Sequence, residues 1–451
     1  VRRAVAPLIA VTVALVLADS AIVTLALPDI LLNLDTTVAE VAWVLISFNL
    51  VLGLVAVPTA VGFRRAQPRL LGAGGIAVFA AASAWCAVAR SIELLIAARC
   101  VQALGGALAL VGCLEILVAL YGERRGIATW ISAGVIGTAT GPVAGGLLTQ
   151  AFSWQAIFVV QVPFAVLAVP AALAVRSGPL AAPPAEFVRH RPAVRANLTL
   201  ALLSAALTAA LFLLVLLLVN GWGQSPAAAA LTVSVVPVAA LAARPLVRLL
   251  RPSSVVEVGV GCFLVAGGLA GLAVLPSAEL AWTVAPQALI GLGLGLTVDQ
   301  LTVRAMHLRL PRVEHASWTI SARHLGVVVG LAILTPIFTA DLMDAQVPAE
   351  QAITALVLDA PLPAQDKVAL ARALGEELTE QQGQVPDLHD AFAAADISAE
   401  FRPAAAQLEQ DLDAQLERAA THAFRDSFLA GALLALLALL TVAAPPWRRT
   451  P

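Results

Sequence analysis

The chain has 451 residues, of which 60% are hydrophobic and 12% charged, with a formal net charge of -2. Soluble globular domains carry about 25% charged residues, so this composition excludes a soluble enzyme or a nucleic-acid-binding protein and points to an all-α polytopic membrane protein. The small net charge says little, because the two signs occupy different regions of the chain. Cys86, Cys100, Cys113 and Cys262 all fall in apolar stretches, where neither a disulfide framework nor a metal cluster is expected. No metal or cofactor is predicted.

Apolar segments of spanning length occur at 6–28, 39–62, 69–89, 92–120, 127–150, 154–175, 197–219, 227–249, 255–275, 281–305, 317–340 and 424–444, giving twelve predicted helices. The opening Val1-Arg2-Arg3 and the run behind it read as a first span and not as a signal peptide, since the run continues to Pro28 and further spans follow. Arginines cluster in alternate connections: Arg64, Arg65 and Arg69; Arg124 and Arg125; Arg176, Arg189, Arg191 and Arg195; Arg244, Arg248 and Arg251; Arg304, Arg309 and Arg312; Arg448 and Arg449. The intervening short loops Asp29–Val38 and Gln150–Ser153 contain no Arg or Lys. By the positive-inside rule both termini are expected on the cytoplasmic face of a bacterial inner membrane.

Residues 176–196, with Pro179, Pro183, Pro184 and Pro192, divide the spans six and six. They are expected to link an N-terminal bundle (1–175) to a C-terminal one (197–451). Within the second bundle, 341–423 carries acids over basic residues by roughly four to one and is expected to form a small extracytoplasmic helical cap. Leu408, Leu412 and Leu416 fall on one helical face there. An acidic lid is the leading reading of this cap, with a docking site for an extracytoplasmic partner as the alternative.

The most informative run is Gly134-Val-Ile-Gly137-Thr-Ala-Thr-Gly141-Pro142-Val-Ala-Gly145-Gly146. Gly137, Gly141 and Gly145 recur every four residues, so they share a helix face that lets a neighbour approach to backbone distance. Pro142 cannot donate to the carbonyl of Thr138, and a bend is expected unless the surroundings reorganise. Ionisable groups inside a span cost about 2.5–3.5 kcal/mol on insertion scales and call for a function. Asp19, Arg99, Glu115 and Asp299 are such groups and are the predicted proton-coupling residues, because a buried carboxylate can bind a proton from one side and release it to the other. Arg323 and His324 are expected to lie near the arginine-rich face and to snorkel. Asn49, Gln102, Gln161 and Gln287 are the polar groups expected in an otherwise apolar substrate cavity.

Gly137-x-x-x-Gly141-Pro142-x-x-Gly145-Gly146 resembles the antiporter motif in the fifth helix of the major facilitator superfamily. Asp19-Ser-Ala-Ile22-Val23-Thr-Leu-Ala26-Leu27-Pro28 resembles the first-helix signature of its fourteen-span drug:proton antiporter branch. Leu95-Ile-Ala-Ala-Arg99-x-x-Gln102, followed by Gly105-Gly106, resembles the fourth-helix motif whose arginine is implicated in proton coupling. Gly291-x-Gly293-x-Gly295 and Arg323-His324-Leu325-Gly326 through Gly330 are similar to stretches of the tenth- and eleventh-position helices. The resemblance implies two six-helix bundles with pseudo-twofold symmetry and alternating access. Two departures stand out. The linker replaces the two central helices of that branch. The loop after the second helix, Val61-Gly62-Phe63-Arg64-Arg65-Ala66-Gln67-Pro68-Arg69, lacks the aspartate of the family's Gly-x-Leu-x-Asp-Arg-x-Gly-Arg pattern, so the motifs support an exporter-like architecture more firmly than strict antiport.

The leading functional reading is therefore a monomeric, proton-coupled exporter of amphipathic or hydrophobic small molecules. Export or flipping of a lipid-like metabolite and a transport-impaired sensor or scaffold are the alternatives. The glycine face of 134–146 is expected at the contact between the two halves, sealing the outer end of the path.

Overall fold

The computed structural model describes residues 2–175, 190–250, 252–306, 309–380, 388–395 and 397–443; the predicted linker lies outside them as far as residue 189. Among the described residues twelve helices are long and apolar enough to cross a membrane. In chain order they are α1 (Arg2–Thr24), α2 (Val38–Gly62), α3 (Pro68–Ala87), α4 (Ile92–Tyr121), α5 (Glu123–Ala151), α6 (Ala156–Leu173), α7 (Val194–Gly221), α8 (Pro226–Val247), α9 (Ser254–Leu272), α10 (Leu280–Met306), α11 (Arg312–Asp359) and α12 (Arg425–Ala443).

Their starts are written in the sequence. Thr37 and Glu40 form a reciprocal capping box at α2, satisfying donors that the first helical turn leaves open. Ser91, Ser225 and Ser253 cap α4, α8 and α9 by accepting from backbone N–H groups of Leu94, Ala228 and Val256. Pro68 and Pro226 occupy first-turn positions, where a missing N–H costs nothing.

Packing separates the spans into two related bundles. Within the first, α1 packs on α5, α2 on α4, α3 on α4 and α3 on α6; within the second, α7 packs on α11, α8 on α10, α9 on α10 and α9 on α12. Adding six to each number of the first set yields the second, which is the pseudo-twofold relation. Small residues follow the same rule. A Cβ added at Gly137 would collide with the Ala14 backbone of α1, and one added at Gly326 or Gly330 would collide with Ala201 or Ala205 of α7. In a bilayer, where burial of apolar surface does not drive helix association, such backbone approach supplies the packing. Across the halves, α2 lies against α11 and α5 against α8, again a symmetric exchange.

The 48-residue α11 extends to roughly 70 Å at 1.5 Å per residue, against about 30 Å of bilayer hydrocarbon. Its C-terminal part leaves the bundle and meets helices Ala364–Glu380, Leu388–Ala394 and Arg402–Ala423. Ile353, Val357, Leu370, Leu374, Leu388, Leu408, Leu412 and Leu416 form a separate apolar core there, so the leucines predicted to share a face do so. Trp222 Nε1 donates to Thr421 Oγ1 at 2.9 Å, tying this cap to the end of α7.

Candidate transport site

Asp19 of α1 and Arg99 of α4 are both fully buried and form an ion pair. Arg99 Nη1 also donates to Gln102 Oε1 at 2.6 Å, and its Nε donates to the Val44 carbonyl of α2 at 3.2 Å. The second carboxylate oxygen of Asp19 accepts from Gln161 Nε2 of α6 at 3.1 Å and from Gln102 Nε2 at 3.3 Å. Ser83 of α3 accepts from Gln102 Nε2 at 2.8 Å. Five helices thus join one network, and α1, α4 and α6 meet at its carboxylate. Buried charges are tolerable only when paired and hydrogen-bonded, and this site meets that condition on the carboxylate side. On the guanidinium side, Arg99 Nη2 is buried without a hydrogen-bond partner, and the ring of Phe48 lies 4.2 Å from the guanidinium carbon, placing a π face where an acceptor is missing.

Beside this network a cavity opens between the halves. It is lined from α1, α2 and α5 on one side and from α7, α8, α10 and α11 on the other. Leucines, valines and alanines make up most of its wall; the polar groups include Ser20, Asn49, Thr138, Arg244, Asp299, Arg323 and His324. Asn49 bridges the halves: its Nδ2 donates to Ser20 Oγ at 3.0 Å, and its Oδ1 lies 2.6 Å from His324 Nδ1 of α11. His324 also meets the edge of Phe48, with ring centroids 6.5 Å apart. One aromatic ring therefore touches the buried arginine and the opposite half at once.

The predicted residues divide into four groups. Asp19, Arg99, Gln102 and Gln161 come together in the buried network, and the two glutamines are outside the cavity lining. Asn49 and Asp299 line the cavity, Asp299 accepting from Arg244 Nη2 at 2.5 Å. Gln287 is buried and donates to Thr283 within α10, away from the lining. Glu115 lies at the end where α11 begins and accepts from Arg312 Nε at 2.8 Å. Arg312 also pairs with Glu123 at 2.9 Å, while Arg64, from the loop that lacks the family aspartate, pairs with Glu314. Both arrangements join the first half to the second.

The expected snorkelling of Arg323 and His324 is not seen. The helix starts at Arg312 and not near 317, so Arg323 lies eleven residues in, about 17 Å along the axis, and both side chains line the cavity. The glycine face also differs from expectation. Cβ atoms at Gly137, Gly141 and Gly145 would meet Ala14, Ala21 and Ile22 of α1, inside the same half, and Gly146 meets Pro226 and Ala230 of α8 across the interface. The helix runs unbroken through Pro142.

The sequence does not single out Ser83, Phe48 or Arg244, nor the pairing of Arg64 with Glu314 and of Arg312 with Glu115 and Glu123.

Residues 9–335 match the family model of the Major Facilitator Superfamily. The chain belongs to the major facilitator superfamily. Among its curated relatives, the multidrug efflux pump LfrA of Mycolicibacterium smegmatis is 34% identical over 160 residues, covering 34% of this chain and 32% of that protein. The match therefore spans about a third of that relative's length. The cephamycin export protein CmcT of Amycolatopsis lactamdurans is 30% identical over 368 residues, 72% of each chain. Among solved structures, a bacterial homolog of the human lysosomal transporter Spinster, inward-facing and unoccupied, superposes with a TM-score of 0.58 at 17% identity over 99% of both chains, which supports the fold. Among its described residues this major facilitator superfamily chain thus has twelve helices fit to span a membrane.

In this facilitator the two kinds of glycine contact separate by experiment. Gly146→Leu wedges α5 from α8 across the contact between the halves, and is expected to cut substrate flux in vesicles at least about tenfold while membrane-inserted protein stays within about twofold of wild type. Gly137→Leu jams two helices of one bundle, and is expected to lower the yield of folded protein instead. Size-exclusion chromatography of both variants beside a vesicle efflux assay checks the contrast; equal loss of folded protein would remove it.

Proposed function

We propose that this protein exports amphipathic, drug-like small molecules across the bacterial cytoplasmic membrane by proton antiport, with its two halves alternating access to the central cavity. The observation that carries the reading is the continuous contact from the Asp19–Arg99 pair through Phe48 to His324 and Asn49 at the cavity wall. Protonation of Asp19 removes the charge that Arg99 is bonded to. Arg99 then keeps Gln102, the Val44 carbonyl and the rings of Phe48 and Phe158, and a shift of the Phe48 ring is felt by His324 on the other half. Binding of a substrate at the cavity biases the same contacts, so each event acts on the other, as linkage requires.

The cavity's composition agrees with an amphipathic cargo, since a mostly aliphatic wall with few polar groups gains little from sugars or phosphates. The names of the relatives, a multidrug efflux pump and a cephamycin exporter, support the same class. In this reading both termini and the arginine-bearing connections face the cytoplasm, the cap faces outward as an acidic lid, and Arg64–Glu314 and Arg312–Glu115 close the cytoplasmic end.

Expression in a bacterial strain stripped of its major efflux pumps tests the reading. Accumulation of amphipathic fluorescent dyes is expected to fall severalfold, and a protonophore is expected to restore it. Unchanged accumulation of every dye across charge types would contradict export; lowered accumulation that a protonophore leaves untouched would contradict proton coupling.

A further inference from the structure

Arg323 stands in the wall of the central cavity, half-buried, and among the described residues it has no hydrogen-bond or ion-pair partner. The acid that acts on it electrostatically, Asp299, is already bonded to Arg244 at 2.5 Å. The cavity lining holds two guanidinium groups and one carboxylate, so it carries an excess positive charge with an unused fork of N–H donors. His324 beside it is engaged by Asn49. The same lining contains no Phe, Tyr or Trp. A site for lipophilic cations draws on aromatic faces or unpaired carboxylates; this wall has no aromatic ring, and its one carboxylate, Asp299, is held by Arg244 through Oδ2 while Oδ1 is unbonded.

We propose that the cavity selects amphipathic organic anions, with a carboxylate docking on the guanidinium of Arg323 and the apolar body of the molecule lying against the leucine and valine wall formed by Leu207, Leu211, Val236 and Leu294. A guanidinium matches a carboxylate with two parallel N–H donors, and the low dielectric of a largely aliphatic cavity strengthens that pair relative to water. Arg244, also in the lining, is held by Asp299, so the anion meets one free cation instead of displacing a second. The inference rests on the exporter reading above and names the class of compound that reading leaves open.

The test uses the full-length protein in phosphatidylcholine nanodiscs and three probes with one apolar body: pyrenebutyrate, its methyl ester, and a pyrenebutyl trimethylammonium. Binding is followed by fluorescence anisotropy, with empty nanodiscs as the baseline. Wild type is expected to bind the carboxylate about tenfold or more tighter than the ester, and the ammonium weakest. In Arg323→Gln the ratio of carboxylate to ester affinity is expected to collapse towards one, with ester binding serving as the check that the cavity is intact. Arg323→Lys, which keeps the charge and loses the fork, is expected to recover part of the ratio. Ammonium binding as tight as carboxylate binding in wild type, or a ratio unchanged in Arg323→Gln, would overturn the anion inference and leave the exporter reading standing. Failure of all three probes to bind would sink the exporter reading and the inference with it.

Discussion

Asp19→Asn is expected to reduce export driven by a pH gradient by about a hundredfold or more, because the amide can accept a hydrogen bond from Arg99 but can neither balance its charge nor exchange a proton. The same change leaves a fully buried guanidinium uncompensated, and removal of one partner of a buried pair costs about 3–5 kcal/mol. Thermal unfolding of the purified variant should therefore begin well below that of wild type. A second substitution separates the two effects. Arg99→Gln added to Asp19→Asn removes the orphaned charge, and Gln102, Gln161 and Ser83 remain to bond the new amides. The double variant should regain much of the lost stability, a non-additivity of the kind that contacting residues show, while gradient-driven transport stays absent. If the double variant transported as wild type does, the pair would be structural and coupling would have to lie elsewhere.

The second large effect concerns the end of the bundle where α11 begins. Glu314, whose side chain is 5% exposed, pairs with Arg64 of the first half, and Arg312 holds Glu115 and Glu123. Charged hydrogen bonds of this partly buried kind contribute about 1–3 kcal/mol, and 1.4 kcal/mol shifts an equilibrium about tenfold. Glu314→Arg places two positive groups in contact and should populate the state open at this end by at least about tenfold. A single cysteine at Val135 in the cavity wall, with Cys86, Cys100, Cys113 and Cys262 replaced by alanine, reports that opening as its rate of alkylation from that side. Reversing both charges, Arg64→Glu with Glu314→Arg, should restore the closed state and the slow rate. Equal alkylation in all three backgrounds would show that the ion pairs do not control access. Here the chain departs from the pattern its family motifs predict: the loop without the family aspartate supplies an arginine, and the acid comes from α11.

Much of this architecture was legible in the sequence because bilayer thickness imposes long apolar runs and the arginine clusters alternate with loops poor in Arg and Lys. Helix identity needed no knowledge of tertiary contacts. The cap helices were readable for a similar reason, since Leu408, Leu412 and Leu416 recur at helical spacing in an otherwise polar segment. Asp19, Arg99, Gln102 and Gln161 could each be singled out by the cost of placing them in a membrane, yet nothing along the chain says that positions eighty or more residues apart share one carboxylate. That depends on how α1, α3, α4 and α6 pack, and their packing is set by glycine faces whose partners are unnamed in the sequence. The depth of Arg323 and His324 was misread because α11 begins with a polar turn, Arg312-Val-Glu314-His315, which an apolar-run criterion discards. Five residues at a helix start move an arginine and a histidine from the rim to the cavity. The glycine run of α5 was correctly read as a close-packing face, but periodicity gives a face without giving its neighbour, and three of its glycines met α1 instead of the opposite half.

Coupling of proton and cargo through the Asp19–Arg99 pair is the claim on which the rest depends. Purified protein in sealed liposomes loaded with a pH-sensitive dye tests it most directly, with a transported amphipathic compound applied as a gradient and no imposed pH difference. Wild type should move protons against the direction of the compound, and Asp19→Asn, at matched reconstitution, should show no proton movement. Equal proton movement in the variant, or substrate flux in wild type without any, would contradict the account.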